Sequence, residues 1–502
     1  MATGAALTSG TVAAVRPDPA EDDDPDHRAP DRISRLFGSR QFFRLWIVQV
    51  TSATGDWLGF SAIIVLAGRL GGEAGAGAGA GAISLVLAAR IVPGFFFGPL
   101  AGVLVDRWDR KKVMMSCDLG RAVVIACLPF VRGLGELVVA SLVLEALTLL
   151  WSPAKDASVP KLVPPSHLAS ANSLSLAAAY GTFPFAALLF ALLAAVSGWL
   201  GSLGILHSVS PDQMALAFYV DAATFVTSAL LVRHLRIGRS RPSSHPDVTA
   251  RWGLGQTLGE LREGWQYIFI NPTVRAVNVG LATGLVGGGM LIPLGAVYSA
   301  DVLHAGAAGY GLFTTALGFG VAVGAAGVAV FQSRLPKERM FTGCLLVAGV
   351  ALLGAASAGS LAVAALLVGV MGVAVGPVYV VGFVLLQEEV SDDLRGRVFS
   401  SLNTLVRLCV LVSMVVGPLL AALLGGLSDR WLGGSMTVSA VHVALPGVRL
   451  TLWLAGLIII SAGVLALHSV RAGQRSKAYR AGTHPSQRPA PGRAASWAEV
   501  GG

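Results

Sequence analysis

Apolar residues in this chain come in long blocks separated by short polar connections, with no regular alternation inside the blocks. Twelve such blocks can be marked: 43–68, 80–105, 112–131, 135–156, 168–199 and 213–233, then 273–300, 307–331, 339–358, 360–386, 397–425 and 449–470. A hydrocarbon layer of ~30 Å is crossed by ~20 apolar residues in a helix, so each block predicts one membrane-spanning helix. Blocks 168–199 and 397–425 exceed that length and are expected to tilt or to project beyond the bilayer. The alternating Gly and Ala of 75–81 reads as a flexible outer loop.

Composition sharpens this reading. Hydrophobic residues make up 54% of the chain and charged residues 13%, against about 25% charged in soluble domains. The 62 glycines suit helices that must approach closely without a hydrophobic force between them. All four cysteines lie inside apolar blocks, which argues against a disulfide framework or a metal site. No glycine precedes a lysine, so the phosphate-binding GxxxxGK[ST] loop is absent, and no HExxH occurs.

The net charge of +9 is a topology signal and not a nucleic-acid footprint. Of the 37 Lys and Arg residues, only Arg69, Arg132, Arg430 and Arg449 fall in or at the edge of odd-numbered connections, and only Arg90, Arg121 and Arg407 lie deep within blocks. The rest occupy the two ends, the even-numbered connections and the block edges that adjoin them. Positive charge is retained on the cytoplasmic side, so both termini are expected inside, in a bacterial inner (plasma) membrane. The expected organisation is a disordered cytoplasmic tail (1–40), a six-helix bundle (41–235), a cytoplasmic linker with an amphipathic surface helix (236–272), a second six-helix bundle (273–470) and a disordered basic tail (471–502).

Five ionisable residues sit deep within the blocks. At ~1.5 Å per residue, Asp56, Arg90, Glu145, Asp221 and Arg407 come out ~15–24 Å from the cytoplasmic ends of their helices. Each would cost at least ~2.5–3.5 kcal/mol facing lipid, so they are expected to face a wet cavity or one another. Burial favours the protonated form of a carboxyl and a nearby guanidinium the ionised form. An acid between the two influences can load and release a proton, which makes Asp56, Glu145 and Asp221 the candidates for proton coupling. Bland readings stand beside these: a static Asp56–Arg90 ion pair, a packing hydrogen bond at Glu145, and backbone satisfaction at Asp221. Arg90 and Arg407 are candidates for charge pairing or for binding a substrate anion. Asp118 and Arg121 read as shallower supports of the adjoining loop. Trp46, Trp57 and Tyr180 either line a cavity or pack at interfaces.

Internal similarity supports a duplicated unit. Ala169-Ser-Ala-Asn172-Ser-Leu174 opens the fifth block and Ser400-Ser-Leu-Asn403-Thr-Leu405 the eleventh. The connection after the second block reads Gly102-x-x-x-Asp106-Arg107-x-x-Arg110-Lys111. This pattern resembles the loop between helices two and three of the major facilitator superfamily of secondary transporters. Phe43-Arg-Leu-Trp46, Gly55-Asp56-Trp57, Asp221-Ala-x-Thr-Phe225 and Gly396-Arg397-Val398-Phe399 resemble its drug:proton antiporter branch, which includes macrolide-efflux and enterobactin-exporter proteins. Asp109 departs from the glycine common there, and where Ala101-Gly-Val-Leu-Val-Asp106 recurs at the end of the eighth block as Ala326-Gly-Val-Ala-Val-Phe331, Phe331 replaces the acid.

The resemblance implies an all-α membrane protein with twelve transmembrane helices in two parallel six-helix bundles. It further implies a conformational gate at Asp106, completed by Gly102, Arg107, Arg110 and Lys111, that holds the halves together when the protein opens outward. The function expected is secondary active, proton-coupled efflux of amphipathic small molecules, with no covalent chemistry and no cofactor. The expected partners are lipid, protons and a small-molecule substrate, with no nucleic acid, and the protein is expected to act as a monomer. Two rivals stay open: an importer of a polar metabolite on the same fold, and a non-transporting membrane sensor or scaffold.

Overall fold

Every apolar block forms a helix. The structure is a computed structural model that describes residues 32–73, 78–106, 108–202, 214–236, 266, 270–331, 335–390, 392–432, 435–438, 441–444 and 446–482. The spans are α1 (Arg40–Gly72), α2 (Ala78–Asp106), α3 (Arg110–Cys127), α4 (Leu134–Asp156), α5 (Leu168–Gly181 and Phe183–Ser202) and α6 (Ala215–Arg233). The second set is α7 (Pro272–Gly289, Leu291–Val297 and a π turn to Val302), α8 (Gly306–Phe331), α9 (Lys337–Ser357) and α10 (Leu361–Glu389), followed by α11 (Asp392–Leu411, a π turn Val412–Val416, and Gly417–Leu432) and α12 (Gly447–Gly482). All twelve are long and apolar enough to cross a membrane. The breaks in α5, α7 and α11 fall just before Pro184, Pro293 and Pro418, where proline withdraws the N–H that would continue the ladder.

Packing repeats between the two sets. α1 packs on α6, α3 on α6, α2 on α4 and α3 on α4. Correspondingly, α7 packs on α12, α9 on α12, α8 on α10 and α9 on α10. Small residues set the close approaches. A Cβ added at Gly324 of α8 would stand 2.1 Å from the Val373 carbonyl oxygen of α10, and one at Gly372 would stand 2.5 Å from that of Leu317.

The two sets meet mainly at one end, the end opposite the termini. There the second piece of α5 lies on α8, and α2 on the last piece of α11. Gly311 of α8 leaves no room for a side chain beside Ala191. Phe185 and Phe190 meet Phe319 and Tyr310 edge-on, at 5.4 and 6.1 Å between ring centroids. Ser84 Oγ donates to the Val415 carbonyl across the same seam. At the end bearing the termini, α2 makes only a glancing contact with the first piece of α11.

Four elements differ from the sequence reading. Residues 78–81 are helical, because Ala78, Gly79 and Ala82 pack on the Gly68 and Gly71 backbone of α1. Within the expected N-terminal tail, Arg32–Phe37 form a short helix whose Phe37 ring packs on Phe43 and Trp46. The last helix runs on to Gly482, past the expected boundary at 470, through the helix-favouring Arg, Ala, Gln and Lys of that stretch. A two-stranded hairpin, β1 (Ser435–Val438) with β2 (Val441–Ala444), joins α11 to α12. The linker stretch read as an amphipathic helix lies almost wholly outside the described residues.

Candidate functional site

Arg121, read from the sequence as a loop support, is the centre of the buried charge cluster. Its side chain is 1% exposed. It reaches Asp56 Oδ1 at 3.1 Å, Asp118 Oδ1 at 2.5 Å and Ser52 Oγ at 3.4 Å. Its guanidinium lies 4.3 Å from the Phe225 ring centroid and 5.1 Å from that of Trp151, so the flat faces of the cation are covered by aromatic surface. Ser228 Oγ donates to Asp118 Oδ2 at 2.8 Å. One guanidinium thus ties α1, α3, α4 and α6 together. Such a buried network is a weak source of net stability, and leaving one member unpaired is costly.

The expected Asp56–Arg90 ion pair is replaced by Asp56–Arg121. Arg90 lies nearby on α2 and shares with Asp56, Arg121 and Asp221 the lining of an internal cavity of about 10 Å³, room for about one water. Distance along a helix does not fix depth here, because the helices start at different levels. Arg121 is ~17 Å along α3 and Asp56 ~24 Å along α1 at 1.5 Å per residue. They still touch, so the two helices do not begin at the same level.

Glu145 of α4 is half-buried with Oε1 beside Gly94, one helical turn from Arg90, whose charge reaches it. Asp221 of α6 is fully buried against Gly55 and Gly59 of α1. Arg407 is exposed on α11 and does not join the cluster. Trp46 and Trp57 pin α1 to α5: their indole N–H groups donate to the Leu174 and Ala179 carbonyls, each at 2.8 Å. Ala179 lies in the last turn before the α5 break, where carbonyls lose their intrahelical donors. Tyr180, by contrast, is 66% exposed.

In the loop after α2, Asp109 caps α3 by accepting from the Lys111 and Lys112 backbone N–H groups at 3.0 and 3.3 Å. This gives the unexpected acid a local purpose. Arg110 Nη1 donates to the Ala157 carbonyl at the end of α4 (2.7 Å). Lys111 Nζ donates to the Arg233 and Leu235 carbonyls at the end of α6 (2.7 and 2.9 Å). Cations at helix C-termini meet the negative end of the dipole. These contacts tie both bases to helix ends of their own half. The side-chain positions of Gly102 and Asp106, and Arg107 entirely, lie outside the described residues.

The sequence carried two unread signals for this site. Asp118 and Arg121 are spaced to share a helix face, and the Gly55-x-x-x-Gly59 pair brackets Asp56 with the small-residue spacing of close helix contacts.

Twelve spans in two equivalently packed sets, with charged side chains buried inside the first set, define a polytopic membrane transporter. The family model of the Major Facilitator Superfamily matches residues 45–414, and the chain belongs to that superfamily. It is therefore a multi-pass membrane transporter of small molecules and not an enzyme. It is 32% identical over 411 residues to the uncharacterized MFS-type transporter Rv0037c of Mycobacterium tuberculosis, covering 78% of this chain and 88% of that one. It is 23% identical over 411 residues to macrolide efflux protein A of Streptococcus pyogenes, covering 79% and 93%. Among solved structures, a bacterial homolog of the human lysosomal transporter Spinster, in an inward-facing and unoccupied conformation, superposes with a TM-score of 0.63 at 15% identity, covering 87% of this chain and 98% of that one.

Proposed function

We propose that this transporter exports amphipathic small molecules from the cytoplasm across the bacterial inner membrane in exchange for protons. Both termini lie in the cytoplasm, as the distribution of Lys and Arg requires, and a single chain is the working unit. The conformation is then closed to the outside and open toward the cytoplasm, the state in which an exporter loads. The observation that carries the reading is the cluster of Asp56, Asp118, Asp221, Arg90 and Arg121 inside the first bundle, in which Asp118, Arg121 and Asp221 are buried and Asp56 is 36% exposed. Ionisable groups in a membrane interior are costly and mark ion pathways. The relative named as a macrolide efflux protein supports the outward direction. Exposed Tyr180 and Tyr379 would offer a lipophilic cargo aromatic surface. On the outer side, a cavity of about 800 Å³ between the two sets, with Arg69, Glu73, Asp301 and Asp429 in its lining, is where the path would emerge.

Within this reading the loop gate is a device of the other conformation. When the cytoplasmic ends close, Asp106 accepts from the start of α11, where helix N-terminal amides favour an anion. Asp106→Asn is expected to insert normally yet reduce export to the background of vesicles lacking the protein. Glu145→Gln is expected to keep substrate binding and lose the response to an imposed pH gradient. Proteoliposome efflux with and without the gradient, alongside ligand binding, checks both. Undiminished export by Asp106→Asn would remove the gate, and an unaltered gradient response in Glu145→Gln would move coupling away from that carboxyl.

A further inference from the structure

Asp221 is the one acid of the cluster whose carboxyl group has no partner. It is 0% exposed, and neither oxygen has a hydrogen bond among the described residues. The nearby Thr224 hydroxyl donates to the Asp221 main-chain carbonyl at 2.7 Å. Opposite the carboxyl, α1 presents two glycines one turn apart. A Cβ at Gly55 would lie 2.2 Å from Thr224 Oγ1 and 2.7 Å from Asp221 Oδ1, and one at Gly59 would lie 2.1 Å from Oδ2. The Gly55-x-x-x-Gly59 face is therefore a mould fitted to a carboxyl group. Any side chain there would displace it.

Charge settles which form of the carboxyl the mould holds. From α1 it faces Asp56, from α3 Arg121 with Asp118 behind it, and from α2 Arg90 across the cavity. Arg121 is already shared between two carboxylates. A third anion, fully buried and without a donor of its own, would cost several kcal/mol, by the desolvation of an unpaired ion. A neutral carboxyl asks only for an acceptor for its O–H, and the adjoining one-water cavity supplies the space for it.

We propose that Asp221 is a closed proton-storage site: it keeps a proton while the outer seam is shut and passes it to Asp56 when the seam opens. In the transfer, the Asp221 O–H bond breaks and its proton goes to the cavity water, while a proton of that water bonds to the Asp56 carboxylate. Asp56, now neutral, releases its hold on Arg121, and the guanidinium turns to the new carboxylate at Asp221. The cluster keeps its total charge, so no ion crosses a dry interior alone. This deepens the proton-exchange reading and rests on it.

The test is infrared spectroscopy of the purified full-length protein at neutral pH, reading the C=O stretch of protonated carboxyl groups. Wild type is expected to show such a band, resistant to exchange in D2O, which Asp221→Asn removes and Asp56→Asn retains. Adding Gly311→Val, which crowds Ala191 across the seam, is expected to weaken the Asp221 band and raise one that Asp56→Asn abolishes. If Asp221→Asn fails to fold, Gly59→Ala serves instead and is expected to shift the band by pressing on Oδ2. A missing band in wild type, a band that survives Asp221→Asn, one unmoved by Gly59→Ala, or one indifferent to Gly311→Val would overturn the proposal. Export is measured on the same preparations. Gradient-independent export with the band behaving as expected would refute proton exchange while leaving the protonated mould standing.

Discussion

Arg121→Leu is expected to lose about 3–5 kcal/mol of stability, the cost of leaving a buried charge without its partner. Asp118 is fully enclosed, and its Oδ1 depends on this guanidinium, with only the Ser228 hydroxyl on the other oxygen. Leucine also forfeits the contacts with Phe225 and Trp151. Lysine in its place keeps the charge but lacks the planar fork that serves Asp56 and Asp118 at once, so Arg121→Lys falls between. Thermal unfolding in detergent checks the order. The double variant Asp118→Asn/Arg121→Leu is expected to recover part of the loss, because the stranded charge is gone. A melting temperature equal to wild type for Arg121→Leu would show that the network carries no strain when broken.

Gly311→Val is expected to reverse which end of the protein is closed. At this position a Cβ would stand 2.6 Å from both Cα and Cβ of Ala191, backbone that cannot step aside. The seam can accept valine only if the second piece of α5 and α8 separate, which also parts Phe185 from Phe319 and Phe190 from Tyr310. Helix packing inside each set is untouched, so the protein stays folded and its population moves. Each ~1.4 kcal/mol of added clash shifts the balance about tenfold. Spin labels at Glu73→Cys and Asp429→Cys, exposed positions on opposite sides of the outer cavity, report the change as a longer distance. An unchanged distance distribution would mean that the observed seam is not the gate that opens.

The architecture was legible because its cause is crude: an apolar block of membrane length has to be a helix, and all twelve blocks are. The proline and glycine breaks in α5, α7 and α11 were present in the sequence as well, but periodicity does not show where a helix bends. What the sequence withheld were relations between helices. Depth counted along one helix assigned Arg90 to Asp56, whereas contact between α1 and α3 assigns Arg121, because helix ends stagger. Asp221 was visible as a buried acid, but its lack of a partner depends on the Gly55 and Gly59 face turning toward it. Arg110 and Lys111 read as members of a gate, and the helix-end carbonyls they reach in this conformation could not be seen in sequence, because they depend on where α4 and α6 end. The short hairpin between α11 and α12 went unread in the connection that follows the eleventh block.

The measurement that bears most directly on the whole account is uptake of a fluorescent lipophilic cation into everted membrane vesicles with an imposed acid interior. Vesicles bearing the wild-type protein are expected to accumulate the dye, to release it when the gradient is collapsed, and to lose accumulation with Asp56→Asn. Accumulation no greater than in vesicles without the protein across a panel of such dyes, or accumulation indifferent to the gradient, would contradict proton-driven export.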